Sequence, residues 1–572
     1  MSATPVRTAR QVGAWRRYSV MIVLGVAASM VLARAFDLQV VQRDFLTGEG
    51  NKRALRTVTV PANRGAIRDR HGEPLALSAP VESLWVIPGE LLEAPEYLPP
   101  ISKLLGYKPG ELKANLVARR DKHFAYLRRH LDPDQAKRVL AMKAPGVFAQ
   151  REYRRFYPAA EVAGQVVGFC DVDGRGREGM EGARETTLAG RAGARRVVRD
   201  RSGRVVEESD DFQLAMAGQD LTLTLDLRLQ YLAYRELKGA VAANHAKGGL
   251  IVLLDARTGE ILAMASQPGY NPNRPGDRDS GGLRNRAVTD VFEPGSSVKP
   301  LLIAQALEVG AITPASHIDT GPGFFKVGYL TVRDHHPNGD LTLARLLSSS
   351  SNVGAARIGL DMGAQALWTG YQKFGLGEVT GAGFPGEAPG VLRRYSEWGE
   401  IATATASYGY GISVNALQLV RAYAALGNDG LLPSLTLVRD RDVVPPQRAV
   451  SAQVARATRH LMEDVTIGDG TGVRASVPGY PVAGKTGTVR KHKAGGYDED
   501  RHQAVFIGLI PADHPRLVGL VMIDEPGLEQ YYGGEVAGPV FSRVMEPAMH
   551  LLQVPPSTGT TASADPAPAP KT

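Results

Sequence analysis

Gly479-Tyr480-Pro481-Val482-Ala483-Gly484-Lys485-Thr486-Gly487-Thr488-Val489 admits two readings, and they imply different folds. Its first eight residues match G-x-x-x-x-G-K-[ST], the loop that cradles nucleotide phosphates between a strand and a helix. Leu520-Val521-Met522-Ile523-Asp524-Glu525 even resembles an apolar strand ending in a magnesium-binding acid. That reading needs a strand before Gly479 and a helix beginning at Lys485-Thr486. Upstream lies Arg474-Ala475-Ser476-Val477-Pro478, a poor strand; downstream lies Gly487-Thr488-Val489-Arg490-Lys491, a poor helix. The other reading makes 482–489 itself a strand. Gly487 then marks close approach by another backbone or a ligand. Lys485 supplies a cation, Thr486 and Thr488 supply hydroxyls, and the strand edge can hold an extended peptide and its carboxylate. The flanks favour this second reading.

Working outward, 504–510 and 517–523 are strand candidates joined by short turns, so this stretch is antiparallel. Residues 249–255 read as a buried strand, Ala256-Arg257-Thr258-Gly259 as a turn, and 260–265 as a returning strand. Residues 229–243 read as a helix, and mostly helical sequence separates the two strand groups. The expected fold class is α+β, an antiparallel sheet covered by helices.

Two further clusters bear reactive side chains. Ser296-Ser297-Val298-Lys299 follows the turn Pro294-Gly295 and leads into an apolar helix. Ser296 is expected at the helix N-terminus, with Lys299 one turn later on the same face. A serine hydroxyl is a poor nucleophile until a base takes its proton, and a neutral lysine can do so. The bland alternative is a capping serine and a solvated lysine; S-x-x-K occurs by chance on the order of once in such a chain. Ser350-Ser351-Asn352 links 341–347 to a helix beginning near Val353, and alone it reads as a cap. The order S-x-x-K, S-x-N, K-T-G in one domain is far less probable than any one motif. It is the motif set of class A β-lactamases and penicillin-binding proteins. Gly468-Asp469-Gly470-Thr471-Gly472 reads as a loop. His335-His336 are adjacent and cannot share a face, so neither a metal site nor a cofactor is expected.

The ends of the chain address compartment. The 572 residues carry a net charge of +8, and Arg7, Arg10, Arg16 and Arg17 supply about half of it. The rest is spread thinly over a large body, which excludes a nucleic-acid footprint. An apolar segment, 18–41, follows this basic tail. It is marginal for a full span and is interrupted by Arg34, which must snorkel or face a partner helix. Ala33-Arg34-Ala35 also fits a cleavage signal; either way the body is exported. Cys170 is the single cysteine, a buried apolar residue rather than a nucleophile. The expected units are a cytoplasmic tail 1–17, a transmembrane signal-anchor 18–41, an irregular mixed domain 42–215, a catalytic domain 216–554 and a disordered Pro/Ala/Ser/Thr tail 555–572. Helical patterns are expected around 99–145.

With these motifs in hand, the chain resembles class B penicillin-binding proteins, most closely the division-specific, septal (FtsI-type) peptidoglycan D,D-transpeptidases of Gram-negative bacteria. Beyond the three motifs, the resemblance includes Arg64-Gly65-x-Ile67-x-Asp69-Arg70 and Arg154-Arg155-Phe156-Tyr157-Pro158 in the membrane-proximal region. It also includes Asp290-Val291-Phe292-Glu293-Pro294-Gly295-Ser296, Tyr408-Gly409-Tyr410-Gly411 and Tyr531-Tyr532-Gly533-Gly534. It covers nearly the whole chain, up to Phe541. It implies a serine β-lactamase-like transpeptidase domain on a dimerisation-like pedestal, monofunctional because no glycosyltransferase domain precedes it.

The resemblance also implies roles. Ser296 attacks the carbonyl between the two D-alanines of a donor stem peptide, and an acceptor amine resolves the acyl-enzyme. Lys299 is the base, kept neutral beside Lys485. Ser350 and Asn352 relay protons and hold the donor. Lys485 and Thr486 bind the terminal carboxylate or its β-lactam mimic, with Gly487 and Thr488 beside them. The N–H groups of Ser296 and Thr488 form the oxyanion hole, and Tyr497, Tyr531 and Tyr532 line the pocket. Implied partners are stem peptides, β-lactam antibiotics, a membrane glycosyltransferase and other divisome proteins. The implied location is the inner membrane, single-pass, with the catalytic domain in the periplasm at the division site. The alternatives are a D,D-carboxypeptidase or β-lactam-hydrolysing enzyme of the same fold, a non-enzymatic β-lactam sensor and, remotely, a P-loop ATPase.

Overall fold

The computed structural model describes residues 14–46, 55–199, 205–279, 281–439, 444–493, 496–527 and 530–557. Most of the expected cytoplasmic tail and of the Pro/Ala-rich tail lies outside these residues. Helix α1 (Ala14–Phe36) starts four residues before the expected Tyr18, so Arg16 and Arg17 ride on the helix itself. A π turn, Asp37–Val41, extends it into a rod of 28 residues whose apolar 18-residue core has mean hydropathy 2.0 and no buried position. That is long enough to cross a bilayer. Arg34 Nη1 donates to Asp37 Oδ2 at 2.7 Å, so the charge finds its partner on its own segment.

The membrane-proximal region is built from β1 (Leu55–Val60), β2 (Pro74–Val86), β3 (Ala125–Leu131), β4 (Val147–Phe156), β5 (Gly193–Arg199) and β6 (Val205–Gln213). Strand β2 pairs antiparallel with both β3 and β4, while β1, β5 and β6 form a separate sheet. The helical expectation for 99–145 holds for Leu98–Leu105, Glu111–Val117 and Pro133–Leu140. It fails at β3. Ala125, Leu127 and Leu131 are buried in a local core, but Arg128-Arg129-His130 hides the alternation that marks a strand.

The two membrane-proximal motifs converge. Arg64 Nε and Arg155 Nε each donate to the fully buried Glu181 at 2.6 Å, and Arg64 Nη1 reaches Glu185. Cys170 Sγ donates to the same Glu181 at 3.3 Å. Burial pushes this thiol up to about 12, so it is inert at neutral pH. Asp69 joins the domains: its Oδ1 accepts from the N–H groups of His71 and Glu73, and its Oδ2 from the N–H of Leu227. Leu227 opens α2 (Leu227–Ala243), whose N-cap is Asp226.

The catalytic sheet contains β7 (Gly248–Asp255) and β8 (Ile261–Gln267). Helix α3 (Lys299–Glu308), a hairpin of β9 (Phe324–Val327) and β10 (Leu330–Arg333), α4 (Asn352–Met362) and α5 (Ala416–Gly427) intervene. The sheet is completed by β11 (Ala483–Lys493), β12 (Gly496–Ile510) and β13 (Leu517–Asp524), and α6 (Gly538–Leu551) follows. The order is β8-β7-β13-β12-β11, antiparallel throughout. All of β7 is buried because its two faces serve two cores. Leu250, Val252 and Leu254 pack in one with α3 and α5; Ile251 and Leu253 pack in the other with α2 and α6. Each such side chain contributes about 2 kcal/mol relative to exposure. Lys485 and Thr486 lie inside β11, and no helix starts there. That removes the phosphate-loop reading, which requires a helix N-terminus at those residues.

Candidate active site

Ser296 sits in a 3₁₀ turn, Gly295–Val298, and α3 begins only at Lys299. The sequence expectation of an α-helical N-terminus is therefore adjusted by one turn. In 3₁₀ geometry residues i and i+3 eclipse, which sets Ser296 and Lys299 on one side. Gly295 has φ +53°, and a Cβ on Gly409 would run into the Gly295 carbonyl, so the Tyr408-Gly409-Tyr410-Gly411 motif must be glycine at this contact. The turn is pinned from within by Ser297 Oγ donating to Pro294 O at 2.6 Å. It is pinned from α5 by Tyr423 Oη donating to Ser297 O at 2.7 Å. Among the described residues the Ser296 hydroxyl has no hydrogen-bond partner, and the residue is partly exposed.

Lys299 and Lys485 are both fully buried. Lys299 Nζ donates to Ser350 O at 2.6 Å and Asn352 Oδ1 at 2.8 Å, and lies 3.4 Å from Ser350 Oγ. Lys485 Nζ donates to Ser350 Oγ at 3.0 Å and to Thr486 O and Oγ1 at 3.2 Å. Burial, then the positive charge of Lys485, hold the Lys299 amine well below the usual lysine range, while Asp334 opposes them. Burial brings Lys485 to about 7. Ser350 holds φ +58°, an uncommon conformation for serine, and this turns its carbonyl and hydroxyl to the two lysines.

Strand β11 is an edge strand, so one side of its backbone is open to a peptide. Gly487 lets it approach the Gly295–Val298 turn, since a Cβ there would stand 3.3 Å from Pro294 O and 3.7 Å from Ser297 Cβ. Thr488 Oγ1 accepts from Gly533 N at 3.0 Å, which ties the Tyr531–Gly534 segment to the strand. The structure thus joins Lys299, Ser350, Asn352, Lys485 and Thr486 in one hydrogen-bonded cluster, and packs the turn that carries Ser296 against Gly487 and Thr488 of β11. Tyr531 stacks on His502 at 4.1 Å and on Tyr532 at 4.7 Å, and Tyr532 meets His335 edge-on at 5.9 Å. Tyr497, on the β11–β12 hairpin, donates to Glu293 at 3.0 and 3.1 Å. Glu293 also accepts from Gly411 N at 2.7 Å. Burial and the Glu293 charge raise the Tyr497 hydroxyl well above the usual tyrosine range, so it stays a donor.

Two residues of the site escaped the sequence. Asp334 Oδ1 accepts from the N–H groups of Asn352 (2.6 Å) and Val353 (2.9 Å), and Oδ2 accepts from Ser351 Oγ at 2.6 Å. It thereby supports the Ser351 N-cap of α4 and holds the Asn352 backbone, while Asn352 Nδ2 donates to Arg333 O at 3.2 Å. Thr471, in the glycine-rich stretch read as a loop, places Oγ1 3.0 Å from Thr486 Oγ1. Neither lies in a motif; Asp334 stands 17 residues before Ser351, at no spacing that marks it as a partner of the Ser-rich run.

Known proteins match the chain across both regions. The model of the penicillin binding protein transpeptidase domain matches residues 249–546, and that of the penicillin-binding protein dimerisation domain matches 59–223. A probable peptidoglycan D,D-transpeptidase, PenA, of Neisseria meningitidis is 42% identical over 551 residues, covering 95% of this chain and 94% of the relative. The peptidoglycan D,D-transpeptidase FtsI of Escherichia coli is 39% identical over 542 residues, covering 94% and 91%. The crystal structure of penicillin binding protein 3 from Mycobacterium tuberculosis, complexed with aztreonam, superposes with TM-score 0.69 at 28% identity, covering 87% of this chain and 98% of that one.

Proposed function

The chain belongs to the penicillin-binding peptidoglycan D,D-transpeptidases of the FtsI and PenA kind, and within that family we propose that Ser296 is the nucleophile and Lys299 its base. The observation that carries this reading is the pair of buried lysines meeting at Ser350, with Ser296 open to the cleft beside them. The neutral Lys299 amine takes the Ser296 proton as Oγ bonds to the penultimate D-alanine carbonyl. The tetrahedral oxyanion is met by the N–H groups of Ser296 and Thr488. As the C–N bond breaks, the proton passes through Ser350 to the departing D-alanine amine. An acceptor amine then attacks the acyl carbonyl, gives up its proton by the same route and regenerates Ser296. Lys485, Thr486 and Thr471 hold the donor carboxylate.

The apolar rod Ala14–Val41 fits a single-pass membrane protein. The basic residues before it support a cytoplasmic N-terminus and a periplasmic catalytic domain. The likeness to FtsI supports action at the division septum beside a membrane glycosyltransferase and other division proteins. We also take 42–215 as the pedestal and 216–554 as the catalytic unit. Fluorescent penicillin tests the site: one adduct is expected, on the tryptic peptide containing Ser296, and persisting for many minutes. An adduct on Ser350, or none, defeats the assignment.

A further inference from the structure

The stretch Gly468-Asp469-Gly470-Thr471-Gly472 brings Thr471 to the site on a loop with three glycines in five residues. Gly468 has φ +57°, and such a backbone has many conformations open to it unless its neighbours hold it. It is held from two sides. On the sheet side, Thr466 Oγ1 donates to Val482 O at 2.9 Å, next to the start of β11, and Gly472 N donates to Val465 O at 2.8 Å. A Cβ on Gly534 would run into Thr471 O, so that segment packs directly on the loop. On the other side stands the helix Leu343–Ser348, whose end leads into Ser350. Thr471 N donates to Ser348 O at 3.1 Å. Arg345 binds Asp469 with both ends of its fork, Nη1 to Oδ1 and Nη2 to Oδ2, the latter at 2.6 Å. The Arg345 carbonyl accepts from Ser349 Oγ at 2.7 Å. One residue thus touches both the loop that carries Thr471 and the turn that carries Ser350.

We propose that Arg345 is a positioning residue for recognition of the donor carboxylate, its hold on Asp469 setting Thr471 where its hydroxyl meets Thr486 and the ligand. This rests on the reading that Lys485, Thr486 and Thr471 hold that carboxylate. Lys485 Nζ donates to Thr486 Oγ1 at 3.2 Å, and Thr486 Oγ1 stands 3.0 Å from Thr471 Oγ1. A threonine hydroxyl has one hydrogen to donate and two lone pairs to accept with. The two hydroxyls use one hydrogen between them and have the other left for an anion. That hydrogen reaches the ligand only while Thr471 keeps its place beside Thr486. The Arg345 and Asp469 side chains are 44% and 75% exposed. An exposed pair adds little to stability, but two parallel N–H···O bonds fix orientation as well as distance. The pair therefore sets geometry without carrying the fold, and either partner can be replaced without disturbing the core.

The test uses the full-length protein in detergent and two thioester acyl donors, N-benzoyl-D-alanyl thioglycolate and its carboxamide, which differ only in the terminal carboxylate. Release of the thiol reports acylation of Ser296. The parent is expected to favour the acid. Arg345→Ala and Asp469→Ala should each raise the half-saturating concentration of the acid about three- to fivefold, the size of a well-formed exposed pair. The limiting rate, and kcat/KM for the amide, should stay near the parent's. The double variant should be no worse than either single one, because each removes the same interaction. Arg345→Lys keeps the charge without the fork and should fall between parent and Arg345→Ala. The proposal is overturned if acid and amide lose equally, if the limiting rate falls at unchanged half-saturation, if the two single losses add in the double variant, or if the variants behave as the parent does. A parent indifferent to the carboxylate overturns the reading of the carboxylate site and this proposal with it. A parent that favours the acid, beside variants that fail these comparisons, overturns the proposal alone.

Discussion

Lys299 and Lys485 meet at a single hydroxyl: Ser350 Oγ stands 3.4 Å from Lys299 Nζ and 3.0 Å from Lys485 Nζ. Both amines are buried, and each makes it harder for the other to carry charge.

The first prediction is a pH profile. Lys485 sits at about 7 and Lys299 well below its ordinary value. A base must be neutral to accept a proton, so the ascending limb of acylation should lie well below the ordinary lysine value of about 10.4. The linkage has a definite sign. A lysine whose folded pKa is depressed destabilises the fold below that pKa, and the cost fades as pH rises toward the unfolded value. This pair should thus make the protein more stable between about pH 7 and pH 10. Stopped-flow acylation and melting curves across that range check both; an ascending limb near pH 10 would defeat the assignment of Lys299 as base.

Lys299→Arg keeps a cation but supplies no neutral base, because arginine remains protonated. Acylation should slow by at least about a hundredfold in a protein that still melts cooperatively. If the variant acylates at nearly the parent rate, Lys299 is only electrostatic. Ser350 acting through Lys485 then becomes the base to test.

Asp334 gathers three donors from the start of α4. Asp334→Ala leaves them without a charged acceptor, and the helix end that presents Asn352 to Lys299 loosens. Hydrogen bonds to charged groups contribute about 1.5–3 kcal/mol each, so a loss of about 3 kcal/mol in stability is expected. Acylation should fall at least about tenfold. Asp334→Asn retains one acceptor oxygen and should fall between the two. Parent-like acylation in Asp334→Ala would show that Asn352 holds its position unaided.

The Glu293–Tyr497 contact ties the far end of the β11–β12 hairpin to the loop that carries Ser296. A donor with its carboxylate at Thr486 and its carbonyl at Thr488 extends past Thr488 toward that hairpin. Tyr497→Phe should therefore raise the β-lactam concentration needed for half-maximal acylation about three- to tenfold and leave the limiting rate within about threefold. A fall in the limiting rate with unchanged half-saturation would mean that the contact shapes the nucleophile turn, not the donor path.

The candidate site residues and the sheet are legible because their signals are local. Lys485-Thr486-Gly487-Thr488 sits in a run whose flanks favour a strand, and 249–255 is apolar at every position because both its faces are covered. Strand β3 was not legible, since its arginines conceal the alternation and pairing with β2 decides it. Asp334, Thr471 and the Glu293–Tyr497 contact became visible only in three dimensions. Glu293 and Tyr497 are 204 residues apart, and Arg64 and Glu181 are 117 apart. A hydrogen bond between distant residues leaves no periodicity or spacing in the chain, because it depends on where the sheet and helices bring the two backbones. The sequence thus determines which groups can react and which strand presents them. The depressed amine of Lys299, which the resemblance implies, is brought about by the tertiary structure, because burial and a second cation act through space.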